Sequence, residues 1–160
     1  RVRLALARQE VQEVLEEGHE LGILQPAQRR LAQNTFAIAG QRVSSRCRAV
    51  PRAGTVSDTA SREKMQAAAR RVGATLLVLR KQDGTLTGYL RVVDLYLSED
   101  DVQSIVRPLI TMERNTSLLE ALQRLQTEKE EIARVVNKDG STLGLLYADD
   151  LVQSFVRTNQ

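Results

Sequence analysis

One histidine, one cysteine and no tryptophan stand in these 160 residues. The scarcities exclude a good deal. His19 and Cys47 together cannot assemble a zinc site, a Cys-His nucleophile pair or a Ser-His triad. A lone cysteine permits no intrachain disulfide, so a reducing compartment is expected. Aromatic residues are only 3% of the chain, which leaves core packing to aliphatic side chains. No apolar run approaches the roughly 18 residues that span a bilayer, and no signal peptide is visible. The chain opens on Arg1 rather than methionine, as expected of a piece of something longer. Charge is barely one-sided, at +3 with 27% charged and 42% apolar residues. That balance describes a globular domain and makes no case for nucleic acid. With no nucleophile–base pair or metal cluster to be built, the sequence is read as non-enzymatic.

What the sequence does contain is a repeat. "DGTLTGYLRVVDL", from Asp83 to Leu95, returns as "DGSTLGLLYADDL", from Asp139 to Leu151. Gly88 and Gly144, Leu90 and Leu146, and Asp94 and Asp150 are identical pairs at one constant offset. Upstream, "VPRAGTVSDTAS" from Val50 aligns at that offset with "VRPLITMERNTS" from Val106. Each unit begins with an extended piece and reaches a serine, Ser61 or Ser117, suited to capping a helix. The first helix is predicted to bury Met65, Ala68, Ala69 and Val72 and to stop at Gly73; the second, to bury Leu118, Leu122 and Leu125. Strands "ATLLVLR" and "EIARVVN" follow, then an Asp-Gly turn, a second strand, and a short helix opening near Asp94 or Asp150. Those last helices carry Leu95 and Leu97 in one unit, and Leu151, Val152 and Phe155 in the other. A unit of about fifty residues has too little interior to stand alone. Two copies cover each other's sheets and create related clefts where the strand-to-helix corners meet.

Ahead of the repeat, the first forty residues read as two helices. Leu4, Ala7, Val11, Val14 and Leu15 form the stripe of the first, which stops at Gly18. Pro26 opens the second; Leu31, Thr35 and Ile38 line one face beside Phe36, and Gly40 ends it. The Glu-rich "QEVQEVLEEGHE" is read as a solvated surface. Beside Cys47, Arg46 and Arg48 either lower the thiol pKa or merely flank a small residue leading into a strand. Arg42, Arg46, Arg48 and Arg52 form either a phosphate-facing group or a solvated strand edge.

The unit order, the "DG" turns and the Gly-h-h-x-x-x-Asp corner (h apolar) resemble a pair of CBS domains, a Bateman module, over Val43 to Val156. "EEGHELGILQPAQRRLAQNTFAIAGQRV" and "IVRPLITMERNTSLLEALQRLQTEKEEIARVVNKDGSTLGLLYADDL" are similar to the hemolysin-like HlyC/CorC family, which joins a membrane domain to a cytosolic CBS pair and is implicated in magnesium and cobalt transport. The fold implied is α/β of the α+β type. Two strand-helix-strand-strand-helix repeats, at residues 43–105 and 106–160, pack about a pseudo-twofold behind a helical segment at 1–42. The resemblance implies an adenosine nucleotide, AMP or ATP, as regulatory ligand and does not firmly imply a metal; nucleic acid is not expected, because the arginine group has no aromatics interleaved for base stacking. It implies an upstream transmembrane domain of the same protein and a place on the cytoplasmic face of the membrane. Exposed apolar residues on the short last helices add a homodimer.

In that family the corner reads Gly-h-h-Ser/Thr-x-x-Asp, its hydroxyl and carboxylate holding the ribose. Here Gly88 and Asp94, and Gly144 and Asp150, match, while Arg91 and Tyr147 stand in the hydroxyl position. Arg91, three residues before Asp94, is placed to pair with it. Asp150 has no such upstream cation, and Tyr147 offers a hydroxyl and a ring face. Gly144, Tyr147 and Asp150 are therefore expected to form the preferred site, ahead of Gly88, Arg91 and Asp94. An aspartate opening a helix also caps free N–H groups without any ligand, and that reading stands beside the first.

Overall fold

A computed structural model describes residues 9–11 and 26–157. The first N-terminal helix, with its stripe and its acidic face, falls outside the described residues except for a helical stretch at 9–11. Helix α1, Pro26–Ala39, starts on the expected proline and gives way to Gly40. On its expected face Ile38 is buried and Thr35 half-buried; the side chain of Leu31 falls outside the described residues. A 3-10 turn, Val43–Ser45, follows.

The repeat then unfolds as predicted. In the first unit β1 (Thr55–Ser57), α2 (Arg62–Val72), β2 (Leu76–Arg80), β3 (Leu86–Arg91) and α3 (Val92–Leu97) succeed one another. A short helix, α4 (Val102–Ile105), links to the second unit of β4 (Ile110–Glu113), α5 (Leu118–Glu128), β5 (Ile132–Val136), β6 (Thr142–Tyr147) and α6 (Ala148–Arg157). Each unit is a three-stranded sheet whose first two strands are parallel, as a helical crossover demands, and whose last two form an antiparallel hairpin. Ser61 and Ser117 cap α2 and α5, accepting from the N–H groups of Lys64 at 3.3 Å and Glu120 at 3.2 Å. Asp83 and Asp139 accept from Thr85 and Ser141 N–H groups at 2.9 and 3.0 Å, closing the two Asp-Gly loops. The Thr85 N–H holds the Asp83 carboxyl below its usual pKa, and the Ser141 hydroxyl, donating at 2.6 Å, then the Ser141 N–H do the same for Asp139.

Three apolar clusters hold the fold. One, in the first unit, joins Met65, Ala69, Leu77, Leu79, Leu90 and Leu95. Another joins Leu118, Leu125 and Leu151 of the second unit to Ile38 of α1 and to Val43, so α1 shares that unit's core. The third, Val78, Tyr89, Ile132 and Leu145, takes two residues from each sheet and glues the units together. This is the mutual cover that small repeats require. Val72 departs from expectation: at the last position of α2 it is 37% exposed.

Chain order and sheet order do not coincide at the edges. The segment before the first unit pairs with the second sheet, through Arg48 and Leu145. The segment before the second unit pairs with the first sheet, through Arg107 and Tyr89. These two crossover segments tie the units reciprocally and bring distant residues to the strand-to-helix corners.

Candidate functional site

Each corner is a strand that becomes a helix without an intervening loop, β3 into α3 at Arg91 and β6 into α6 at Tyr147. The glycines three residues earlier are accounted for by packing. A Cβ on Gly88 would lie 2.7 Å from the Arg107 carbonyl oxygen and 2.8 Å from Val106 Cγ1. On Gly144 it would collide with the Arg48 carbonyl, with Cys47 Sγ at 3.3 Å beside it. Both glycines thus admit a crossover backbone, in conformations that need no positive φ.

Asp94 and Asp150 each occupy the third position of their helix. Neither is the residue before the helix, and Arg91, which is, makes no side-chain cap bond at α3. The carboxylates therefore meet only the dipole part of the capping alternative. Both acids are engaged by arginine. Arg91 Nε donates to Asp94 Oδ2 at 3.1 Å, the expected local pair. Asp150, with no cation three residues upstream, accepts instead from Arg48 Nη2. That cation comes from the crossover segment, far outside any local spacing. The same guanidinium carbon lies 5.0 Å from the centroid of the Tyr147 ring, within cation–π range. Hydrogen bonding to Asp150 raises the Arg48 pKa, and burial raises that of Tyr147.

Both corners line one cleft of about 460 Å³ between the units. Arg91, Val92 and Val93 enter from the first corner, and Tyr147, Ala148 and Asp149 from the second. Ala74, Thr75, Leu76 and Glu131 complete the wall. Asp94 and Asp150 each adjoin a residue that lines it, Val93 and Asp149, without lining it themselves. The sequence reading missed Thr75, Glu131 and Asp149. Thr75 and Glu131 fall at the repeat offset just before β2 and β5, a signal that was available. With apolar walls, a ring, a guanidinium and a few polar groups, the cleft suits a small, partly aromatic, partly charged ligand.

Beneath the cleft lies a polar network that the sequence did not announce. Tyr89, fully buried, donates its hydroxyl proton to Glu130 and accepts from the Glu131 N–H at 2.8 Å. Arg107 Nε also donates to Glu130 Oε2, at 3.1 Å, and Arg107 Nη2 to the Lys129 carbonyl. Burial, then the Glu130 carboxylate, push the Tyr89 pKa up to about 12. The network crosses from the first sheet to the second and fixes the backbone at Glu131, whose carbonyl accepts from the Ala148 N–H at 2.9 Å.

The arginine group proposed to face a phosphate is dispersed. Arg42 Nη1 donates to the Asn115 carbonyl at 2.7 Å, Arg46 to Gln41 Oε1, and Arg48 to Asp150. Cys47 likewise loses its reactive reading: burial raises its thiol pKa, opposing the lowering its flanking arginines suggested. Among the described residues, no group of three or more His, Cys, Asp or Glu is placed to hold a metal, and no helix is long and apolar enough to cross a membrane.

Comparison with known proteins agrees with this architecture. The model of the CBS domain family matches residues 100–157. An uncharacterized protein of Mycobacterium tuberculosis is 30% identical over 80 residues, 47% of this chain and 23% of the relative, so the match spans about a quarter of that protein's length. Among solved structures, the CBS domain of the bacterial CNNM/CorC family Mg2+ transporter superposes with a TM-score of 0.72 at 24% identity, covering 92% of this chain and 94% of that one. The same domain in complex with ATP gives 0.68 at 23% identity, covering 82% and 98%. Likeness at this identity establishes the fold.

Proposed function

We propose that this chain, which matches the CBS domain family over residues 100–157 and whose two repeats have the fold of a CBS pair, is the regulatory module of a CorC-type, hemolysin-like membrane protein involved in magnesium or cobalt transport. Its ligand is an adenosine nucleotide, AMP or ATP, taken up at the shared cleft. The observation that carries the reading is the cleft itself, which gathers the corner residues of both units. The Tyr147 ring gives adenine a surface to stack on, and Arg91 gives a phosphate a planar donor. Asp150, next to the wall residue Asp149, supplies an ionised acceptor for ribose hydroxyls. That a structurally similar domain is known with ATP bound supports the same assignment. The module sits at the cytoplasmic face of the membrane, and its signal leaves through α1, which shares the second unit's core.

A second reading has its own support. Both corner acids are already satisfied by arginine, as in a module that has lost its ligand and serves only to dimerise. Calorimetric titration with AMP and ATP, with and without magnesium, separates the two. Saturable binding is expected; absence of binding at millimolar nucleotide would leave the dimerisation reading in its place.

A further inference from the structure

The two crossover segments occupy related positions, and each presents an arginine to the opposite sheet. Arg107 and Tyr89 exchange backbone hydrogen bonds of 2.9 and 2.8 Å; Arg48 and Leu145 exchange bonds of 2.8 and 2.7 Å. Beyond the backbone the two part company. Arg107 is only 25% exposed and is locked to Glu130, which is 9% exposed. Arg48 is 63% exposed and reaches across Tyr147 to the Asp150 carboxylate. No crossover arginine reaches Asp94, whose partner is Arg91 of the adjoining strand end.

This difference bears on what the second corner accepts. Ribose hydroxyls that use Asp150 must first displace a guanidinium. The displacement is easy to reverse, because an exposed ion pair contributes little. A nucleoside gives the released guanidinium nothing in return. A nucleotide gives it a phosphate, whose geometry matches the planar fork bidentately. We infer that Arg48 is the specificity-determining residue of the second corner. It selects phosphorylated nucleosides over nucleosides by exchanging Asp150 for the ligand's phosphate. The inference rests on the adenosine-nucleotide reading of the cleft.

Adenosine and AMP are titrated calorimetrically against wild type and Arg48→Ala, a substitution that leaves the crossover backbone bonds in place. Wild type is expected to prefer AMP by about tenfold, as a charged hydrogen bond to phosphate supplies. In Arg48→Ala, adenosine should tighten by about two- to fivefold because its carboxylate is free, while AMP weakens, so that the preference nearly vanishes. Arg48→Lys, which keeps the charge without the fork, should fall between and carries the test if the alanine variant fails to fold. An unchanged preference in the variants, or adenosine binding more weakly to Arg48→Ala, overturns the inference alone. If neither ligand binds wild type or variant, the adenosine reading falls with it.

Discussion

Lys129 ends α5 in the left-handed region, at φ 57°, where the first unit uses Gly73 at φ 64°. A side chain there is strained, so Lys129→Gly should stabilise the fold by about 0.5–1 kcal/mol, read as a raised denaturant midpoint. Gly144→Ala should do the opposite. Its methyl meets the rigid Arg48 carbonyl rather than a flexible side-chain end, and overpacking of this kind costs about 1–3 kcal/mol. Equilibrium unfolding checks both. Tyr89 offers a pH test. Its pKa, about 12 in the fold, stands above the ordinary 10, so the fold disfavours the phenolate. The stability this implies is fully present below pH 10 and is lost as pH rises through the window up to about 12. Tyr89→Phe, lacking the hydroxyl, should show a shallower loss of stability across that window; an identical slope would mean that Tyr89 does not titrate with unfolding. At the corners, Asp150→Asn should weaken nucleotide binding by about 1–3 kcal/mol and Asp94→Asn clearly less. Asp94 is held by a residue of its own corner, whereas the exposed Arg48 can leave Asp150. Calorimetry showing the reverse order would move the ligand to the first corner. The corner acids and glycines were legible because they recur at one offset. Arg48 as the partner of Asp150 was not, because spacing along the chain carries no information on which segment crosses to which sheet.

At the scale of elements, helices and strands followed from local chemistry: serines that cap, Asp-Gly loops that close hairpins, and apolar residues at helical spacing. The crossover pairing and the Tyr89–Glu130–Arg107 network did not, since both depend on how the two sheets dock. Helix α1 shows how docking also grades stability. Its C-terminal end, at Ile38 and Ala39, is buried, while the side chains described nearer Pro26 are exposed or half-buried. Hydrogen exchange should therefore find its first turns less protected than β2, with protection rising toward Ile38. Uniform protection equal to that of the Leu76–Arg80 strand would contradict this gradient.

At the scale of the whole molecule, the outer surfaces of α3 and α6 leave Tyr96 51%, Leu97 78% and Val152 45% exposed. Such apolar surface on two short helices is the basis for proposing a homodimer, which Leu97→Glu with Val152→Glu should dissociate in light scattering. A wild type that stays monomeric at high micromolar concentration would remove that proposal. The cleft between the units remains the place where ligand and architecture meet. Amide chemical-shift mapping during an AMP titration tests it most directly. Saturable shifts are expected at Thr75 and Leu76, at Arg91 to Val93, and at Tyr147 to Asp150, with smaller ones at Arg48 on the crossover segment. Shifts confined to the Asp-Gly loops, or none at millimolar AMP, would contradict the assignment of this cleft as a nucleotide site.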